Sequence, residues 1–168
     1  MIYGVTSCPP TCLRNICREY TTMTKKLFSL ILALGIWMSL SQTEALADQL
    51  TVYKSPWCGC CTGWVDHMKA NGFSVKVIEQ EDLTPIKRQY SVPGNLESCH
   101  TAEIDGYTIE GHVPAEDVIR LLAERPRAKG PAVPGMPIGS PGMEQGNEKE
   151  PYPVVLFGED GLYVYARH

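Results

Sequence analysis

An α/β fold with a mixed sheet is predicted by the order of three segments near the middle of the chain. Residues 50–54 alternate β-branched and aromatic side chains, a cysteine-bearing loop and a helical pattern follow, and 73–78 form a second strand-like run. Strand, loop, helix and strand in this order make a βαβ unit, whose strands pair in parallel through a right-handed crossover. Because the cysteine loop lies at the N-terminus of the first helix, the pattern indicates a thioredoxin-like α/β domain.

The helix of this unit is predicted over 62–71, with Trp64, Val65 and Met68 on one face. Asn71-Gly72 is a typical helix C-terminus. A short second helix is predicted over Leu83–Tyr90, with its proline near the start.

The second half of the chain contains two hairpin patterns, a helix and a long loop. Asp105-Gly106 is typical of a type I′ turn between strands 103–104 and 107–110. A helix follows over 115–124, and 152–157 with 162–165 form a last hairpin across 158–161. Between them, 125–151 are predicted to be a long Gly/Pro/Met loop, which in a compact domain is usually functional or disordered. The helix is predicted to bury Val118, Ile119, Leu121 and Leu122.

The N-terminal part has the layout of a secretory signal peptide. A basic stretch beginning at Met23 precedes the uncharged apolar run 27–40, and the small residues around Ala47 form a cleavage site. The apolar run is shorter than the ~20 residues that a membrane-spanning helix needs. We therefore expect 23–47 to be a signal peptide cleaved after Ala47, and 1–22 to be an upstream extension from a misplaced start.

The mature domain expected from this cleavage, 48–168, is acidic. It contains 17 Asp/Glu and 11 Lys/Arg, a formal net charge of −6. An acidic domain without a basic stripe argues against nucleic acid or an anionic membrane as a partner. Export to the periplasm would place its thiols in an oxidising compartment.

Three cysteines lie within four residues, at Cys58, Cys60 and Cys61. Thiolates form readily at a helix N-terminus, and they both bind metals and attack disulfides. Cys58 and Cys61 have the C-x-x-C spacing of a redox pair, but such a pair does not require Cys60. Extra sulfur does suit a soft cation such as Cu(I) or, less well, Zn(II). Soft-metal binding is therefore favoured, with thiol redox chemistry and structural disulfides as alternatives.

Further candidate ligands lie downstream of this cluster. Cys99 is the remaining thiol of the mature chain and would be a fourth sulfur, with His100 beside it. His112 is ambiguous in isolation, because a helix-capping or exposed role fits its position equally well. Met136 and Met143 occur in the Gly/Pro loop, where a thioether suits copper better than a hard metal. The alternative is a loop that packs a methionine over the site or has no role in it.

Four motifs in this order resemble one known family: SPWCGCC, SCHTA, EGHVPA and GMPIGSPGME. They are similar to the exported CxCC-containing metal-binding proteins that include the periplasmic copper-resistance protein CopG, and the resemblance covers essentially all of 50–168. It implies a thioredoxin-like domain that binds several copper ions in a cysteine-bridged multinuclear cluster and interconverts copper oxidation states. By motif, it implies thiolate ligands at Cys58, Cys60, Cys61 and Cys99, with His112, Met136, Met143 and His100 as further candidates.

The resulting expectation is a periplasmic protein of copper resistance or homeostasis with Cu(I) as its ion. Other periplasmic copper-handling proteins are the expected protein partners, with no nucleic acid and no membrane after signal cleavage. Hydrolase and transferase signatures are absent from the sequence. If the protein is an enzyme, the leading hypothesis is a redox protein that acts on copper ions. The alternative is a thiol–disulfide oxidoreductase that uses Cys58 and Cys61.

Overall fold

A seven-stranded mixed sheet organises residues 49–168, the part of the chain that the structure, a computed structural model, describes. The predicted upstream extension 1–22, the signal peptide 23–47 and its cleavage site lie outside the described residues. None of the helices within 49–168 is both long and apolar enough to cross a membrane. The strands and helices are β1 (Leu50–Lys54), α1 (Gly59–Ala70), β2 (Val75–Glu79), α2 (Thr84–Gln89), β3 (His100–Ile104), β4 (Tyr107–Glu110), α3 (Ala115–Glu124), β5 (Gly130–Ala132), β6 (Pro153–Gly158) and β7 (Gly161–Arg167), with a 3₁₀ turn at Gly94–Leu96.

The strand order is β2-β1-β3-β4-β5-β6-β7, and the mixed α/β class is confirmed. β1 pairs in parallel with β2 across α1, as the βαβ pattern predicts. β3 and β4 form the predicted hairpin, with positive φ at both Asp105 and Gly106. β4 and β5 form a second parallel pair, whereas β1–β3, β5–β6 and β6–β7 are antiparallel.

The main core lies between one face of the sheet and helices α1 and α3. Trp64 and Met68 of α1, with Val118 and Leu121 of α3, pack against alternate side chains of the strands. The predicted inward orientation of Ile119 is wrong, since this side chain is 50 % exposed. Val118 and Leu121 already fill the core-facing side of this 10-residue helix, and Ile119 lies outside that stripe.

Two further predictions need correction. Helix α1 begins at Gly59 rather than at residue 62, so the cysteine loop is shorter than predicted and two cysteines belong to the helix. The predicted long loop contains a strand, β5, in which all three residues are buried. Gly-Pro-Ala has poor intrinsic strand propensity, so tertiary pairing with β4 and β6 forms this strand.

Candidate metal centre

Three cysteine sulfur atoms lie at the N-terminus of helix α1, one at the N-cap and two in the first turn. Cys58 is the N-cap residue, and its Sγ accepts a hydrogen bond from the backbone N–H of Cys61 at 3.3 Å. Cys60 and Cys61 follow in the first turn, where unpaired N–H groups and the helix dipole favour negative charge. Cysteine and glycine are weak helix formers, which is why the sequence pattern predicted a loop here.

The four predicted cysteines converge on one point. The sulfur atoms of Cys58, Cys60, Cys61 and Cys99 all lie within 4.8 Å of one another. Cys58 and Cys61 are joined by a disulfide, and Cys60 Sγ lies 3.4 Å from Cys58 Sγ. Cys60 and Cys99 are the free thiols of residues 49–168.

Sheet topology brings Cys99 to the helix. Lys54, at the end of β1, pairs with His100, at the start of β3. The cysteine cluster follows the end of β1, and Cys99 immediately precedes the start of β3. Because these two strands are antiparallel, both segments lie at the same end of the sheet. The Cys61 Sγ consequently lies 3.7 Å from the Cys99 carbonyl oxygen.

His112 faces Cys99 in a defined tautomer. Its Nδ1 lies 2.8 Å from the Pro141 carbonyl oxygen, which can only accept, so Nδ1 carries the proton. Its Nε2 then has a free lone pair directed at Cys99 Sγ, 2.9 Å away. Metal-ligating histidines commonly donate their second ring N–H to a carbonyl in this way. The side chain is fully buried, so the solvent-exposed alternative is wrong.

His100 completes a second group with Cys99 and His112, whose ligand atoms also lie within 4.8 Å of one another. Its Nδ1 lies 3.4 Å from Cys99 Sγ, and its ring packs against Trp64 and edge-on against His112. Within 49–168, its Nε2 is the one buried side-chain nitrogen or oxygen without a hydrogen-bond partner. The nitrogen that faces Cys99, Nδ1, makes this ring a candidate ligand, while the unpaired Nε2 carries a cost to folding.

Burial keeps this group of side chains uncharged. Burial, and then the neighbouring Cys60, raise the pKa of Cys99 to about 12. Burial also lowers the pKa of His112 and lowers that of His100 well below its usual range, with His112 and Lys87 adding to the effect on His100. A neutral thiol and neutral imidazoles are the protonation states expected of a buried soft-metal site without its cation, because a thiolate here needs a positive partner.

The loop with the two methionines is anchored to the same elements. Gly142, with φ +83°, rests on the first turn of α1, where an added Cβ would overlap the Cys60 carbonyl oxygen. Met143 follows directly. The Gly135 carbonyl accepts a hydrogen bond from Ser98 Oγ at 2.5 Å, so the residues that immediately precede Met136 and Cys99 are in contact. Met143 is partly buried and Met136 is 51 % exposed.

The structure thus brings together four cysteines and two histidines, and the loop that carries both methionines contacts α1 through Gly142 and Ser98 through Gly135. Sequence reasoning missed the Pro141 carbonyl, which orients His112, and Trp64, which packs on His100 and donates to the Val113 carbonyl. A backbone carbonyl leaves no sequence signal. It also missed the charged residue in a buried strand, Glu110, although a carboxylate at that position is itself an informative signal.

The fold and this centre define an α/β protein with a cluster of cysteine and histidine side chains that could hold a metal ion. Residues 96–143 match a family described as a protein of unknown function, DUF411. No curated protein sequence matches the chain. One solved structure, "Copper resistance protein copG- Form 2", is 43 % identical, with a TM-score of 0.69 over 72 % of this chain and 98 % of that chain.

A second solved structure, "Copper resistance protein copG- Form 1", is 44 % identical, with a TM-score of 0.68 over 71 % of this chain and 96 % of that chain. The chain belongs to the family of the copper resistance protein CopG. The DUF411 match contains Cys99, His100, His112 and both methionines of the loop, whereas the structural matches extend over most of the described domain.

Proposed function

We propose that the chain is a periplasmic copper-binding protein that serves copper resistance or homeostasis. The observation that supports it best is the convergence of four sulfur atoms and two buried imidazoles on one sheet edge. Thiolates and thioethers prefer Cu(I), and imidazole also binds copper, so the donor set fits copper better than a hard cation. The names of the two similar structures agree with this assignment.

The redox state of the cysteines decides how many thiolates the site offers. With Cys58 and Cys61 joined, Cys60 and Cys99 remain as thiols. Opening the disulfide consumes two electrons and two protons and yields two more thiols, which become thiolates on binding copper. We therefore expect reduced protein to bind more Cu(I) per chain than oxidised protein.

The finer features of the family resemblance belong to the same proposal. They are a thioredoxin-like domain, a cysteine-bridged cluster of several copper ions, and interconversion of copper oxidation states. Cys58, Cys60, Cys61 and Cys99 are the proposed thiolates, joined by His112, Met136, Met143 and His100. Export through a signal peptide at 23–47, with 1–22 upstream of the start, would place the protein beside other periplasmic copper-handling proteins.

Copper binding by protein purified from the periplasm tests the proposal. The protein is reduced with a phosphine, freed of it, and titrated with Cu(I) in competition with a chromophoric chelator. X-ray absorption at the copper K-edge then reports valence and sulfur coordination. We expect several Cu(I) per chain with mainly sulfur ligands, and loss of most of them in Cys58→Ser and Cys61→Ser. Intact mass gives the mature N-terminus.

A matched histidine pair provides the control. His112→Gln removes a nitrogen that faces Cys99, whereas His67→Gln changes a histidine that accepts a hydrogen bond from the Ala115 N–H at 3.1 Å. We expect weaker binding only in the first variant. Unchanged stoichiometry in both cysteine variants would refute the copper site.

The Cys58–Cys61 disulfide favours a second candidate, a thiol–disulfide oxidoreductase. A dithiol at a helix N-terminus has the position of a redox-active pair. This function predicts metal-independent reduction of a model disulfide that survives substitution of Met136 and Met143. Disulfide reduction that depends on copper, and weaker Cu(I) binding in the methionine double variant, would favour the copper site.

A further inference from the structure

We propose that the buried Lys87–Glu110 ion pair is a positioning element of the metal centre, which sets Cys99 against His112 by holding the backbone of Ser98. This inference rests on the proposed copper function. The two residues come from different elements, since Lys87 belongs to α2 and Glu110 ends β4. Neither residue touches the sulfur cluster through its own charged group, so their effect would pass through Ser98.

The carboxylate of Glu110 has every oxygen engaged inside the protein. Glu110 is fully buried and Lys87 is 6 % exposed. Oε1 accepts from Lys87 Nζ at 2.5 Å and from the Ser98 backbone N–H at 2.6 Å. Oε2 accepts from Thr101 Oγ1 at 2.6 Å, and Lys87 Nζ also donates to Thr101 Oγ1 at 3.2 Å.

This network lies on the sheet face opposite the main core. Thr101 and Glu110 are direct partners in the β3–β4 ladder, so their side chains share one face. Their neighbours His100 and Ala102 point to the other face, toward Trp64. The carboxylate thus spans from the sheet to the segment that leads into β3, immediately before Cys99.

Ser98 contacts two of the segments that carry candidate ligands and directly precedes the third. Its N–H binds Glu110, and its Oγ donates to the Gly135 carbonyl, one residue before Met136. An added Cβ on Gly111, next to His112, would lie 2.6 Å from both Cβ and Oγ of Ser98. The segments that carry Cys99, His112 and Met136 are therefore packed around this one residue.

Stability alone is a weak reason for such a pair. Desolvating two charges offsets most of their attraction, and apolar residues of similar volume often replace a buried pair without loss of stability. Burial raises the pKa of Glu110, and Lys87 opposes that shift. What an apolar pair would not provide is an acceptor for the Ser98 N–H, which is the function that the geometry assigns to Glu110.

Two matched double variants separate the acceptor from the charge. Lys87→Met with Glu110→Gln removes both charges and keeps an oxygen for the Ser98 N–H. Lys87→Met with Glu110→Leu removes that oxygen as well. Both variants are purified from the periplasm, reduced and titrated with Cu(I) beside the wild-type protein, and circular dichroism gives the folded fraction.

We expect the leucine variant to bind Cu(I) about 10- to 100-fold more weakly, the range for lost supporting contacts around metal ligands. Its K-edge spectrum should show fewer sulfur or nitrogen neighbours per copper. The glutamine variant should retain the wild-type coordination. If Glu110 served folding alone, the two double variants would bind copper equally well once folded.

Equal affinity and equal coordination in the two folded double variants would overturn the inference. If the leucine variant does not fold, Glu110→Asp provides the same test, because it keeps the charge and withdraws the oxygen from Ser98 by one methylene. A folded Glu110→Asp protein with unchanged binding would overturn it too. Absence of copper binding by wild type would instead overturn the proposed function, and this inference with it.

Discussion

Replacing Gly142 by alanine adds a methyl group where the methionine loop rests on α1. The new Cβ would overlap the Cys60 carbonyl oxygen and lie 2.6 Å from the Trp64 backbone nitrogen. Gly63, on the opposite side, has its own Cβ position 3.0 Å from Gly142 Cα, so the helix also comes close to the loop here. The loop and helix backbones are therefore in direct contact, and an added methyl group must push them apart.

Two costs add up at this position. Gly142 has φ +83°, and a residue with a side chain pays about 1–2 kcal/mol in that region. Overpacking a close contact adds about 1–3 kcal/mol. Gly146 is the matched control, with φ +61° and open space around its Cβ position, so Gly146→Ala carries the first cost alone. Gly142→Ala should therefore be about 1–3 kcal/mol less stable than Gly146→Ala, which for a domain of this size lowers Tm by roughly 4–12 °C.

The same substitution tests how the loop supports the proposed metal centre. Displacing residue 142 moves the neighbouring Pro141 carbonyl away from His112 Nδ1, which removes the contact that fixes the imidazole tautomer. Loss of such a contact weakens metal binding by about 10- to 100-fold. Thermal unfolding and Cu(I) competition titration of both reduced variants measure the two effects. Equal Tm values and equal copper affinities in Gly142→Ala and Gly146→Ala would refute the close packing of loop and helix.

Three further predictions concern the core and the buried imidazoles. Trp64→Phe leaves the Val113 carbonyl without its 2.8 Å donor, and chemical denaturation should show a loss of about 1–3 kcal/mol; wild-type stability would contradict the buried hydrogen bond. Leu121→Ala should cost about 2–5 kcal/mol because Leu121 is fully buried, while Ile119→Ala on the exposed face should cost clearly less, and equal losses would contradict the assigned orientation of α3. Burial lowers the pKa of His100 in the folded state, whereas in the unfolded chain this histidine has the ordinary pKa of about 6.5. Below that pH the unfolded chain binds more protons than the folded protein, so copper-free protein loses stability as the pH falls. Urea unfolding between pH 7 and 5 gives the free energy of unfolding as a function of pH. Its slope should be shallower in His100→Leu than in wild type by up to about 1.4 kcal/mol per pH unit, and equal slopes would exclude this histidine as the cause.

Local sequence patterns predicted the elements that local interactions determine. Helix α3 has the predicted bounds, and the Asp105-Gly106 hairpin forms because both residues adopt positive φ. β5 was missed, since no propensity of Gly-Pro-Ala indicates a strand and its partners come from distant segments. The start of α1 was placed too late for a related reason, because a sulfur atom of Cys58 caps the helix in place of the usual oxygen.

The candidate site was predictable as a set of residue types, but not as a geometry. Cys99 was a candidate fourth sulfur because it is the remaining thiol of the mature chain, and the structure brings it to the cluster through the β1–β3 pairing. The burial of His100 and His112 could not be read from sequence, because it depends on Trp64 and on a backbone carbonyl. The support from Glu110 through Ser98 joins three segments that are separate along the chain.

The clustering of Cys58, Cys60 and Cys61 in one helical turn has a thermodynamic consequence. A ligand stabilises a fold only by its preference for the folded over the unfolded chain. Three neighbouring sulfurs remain neighbours after unfolding, so the denatured ensemble keeps a considerable affinity for a soft ion. The ion would therefore raise the unfolding free energy mainly through the contacts that folding adds, those of Cys99 and His112. Copper-induced thermal stabilisation would accordingly report how well the distant ligands engage, and less about how tightly the ion is bound overall.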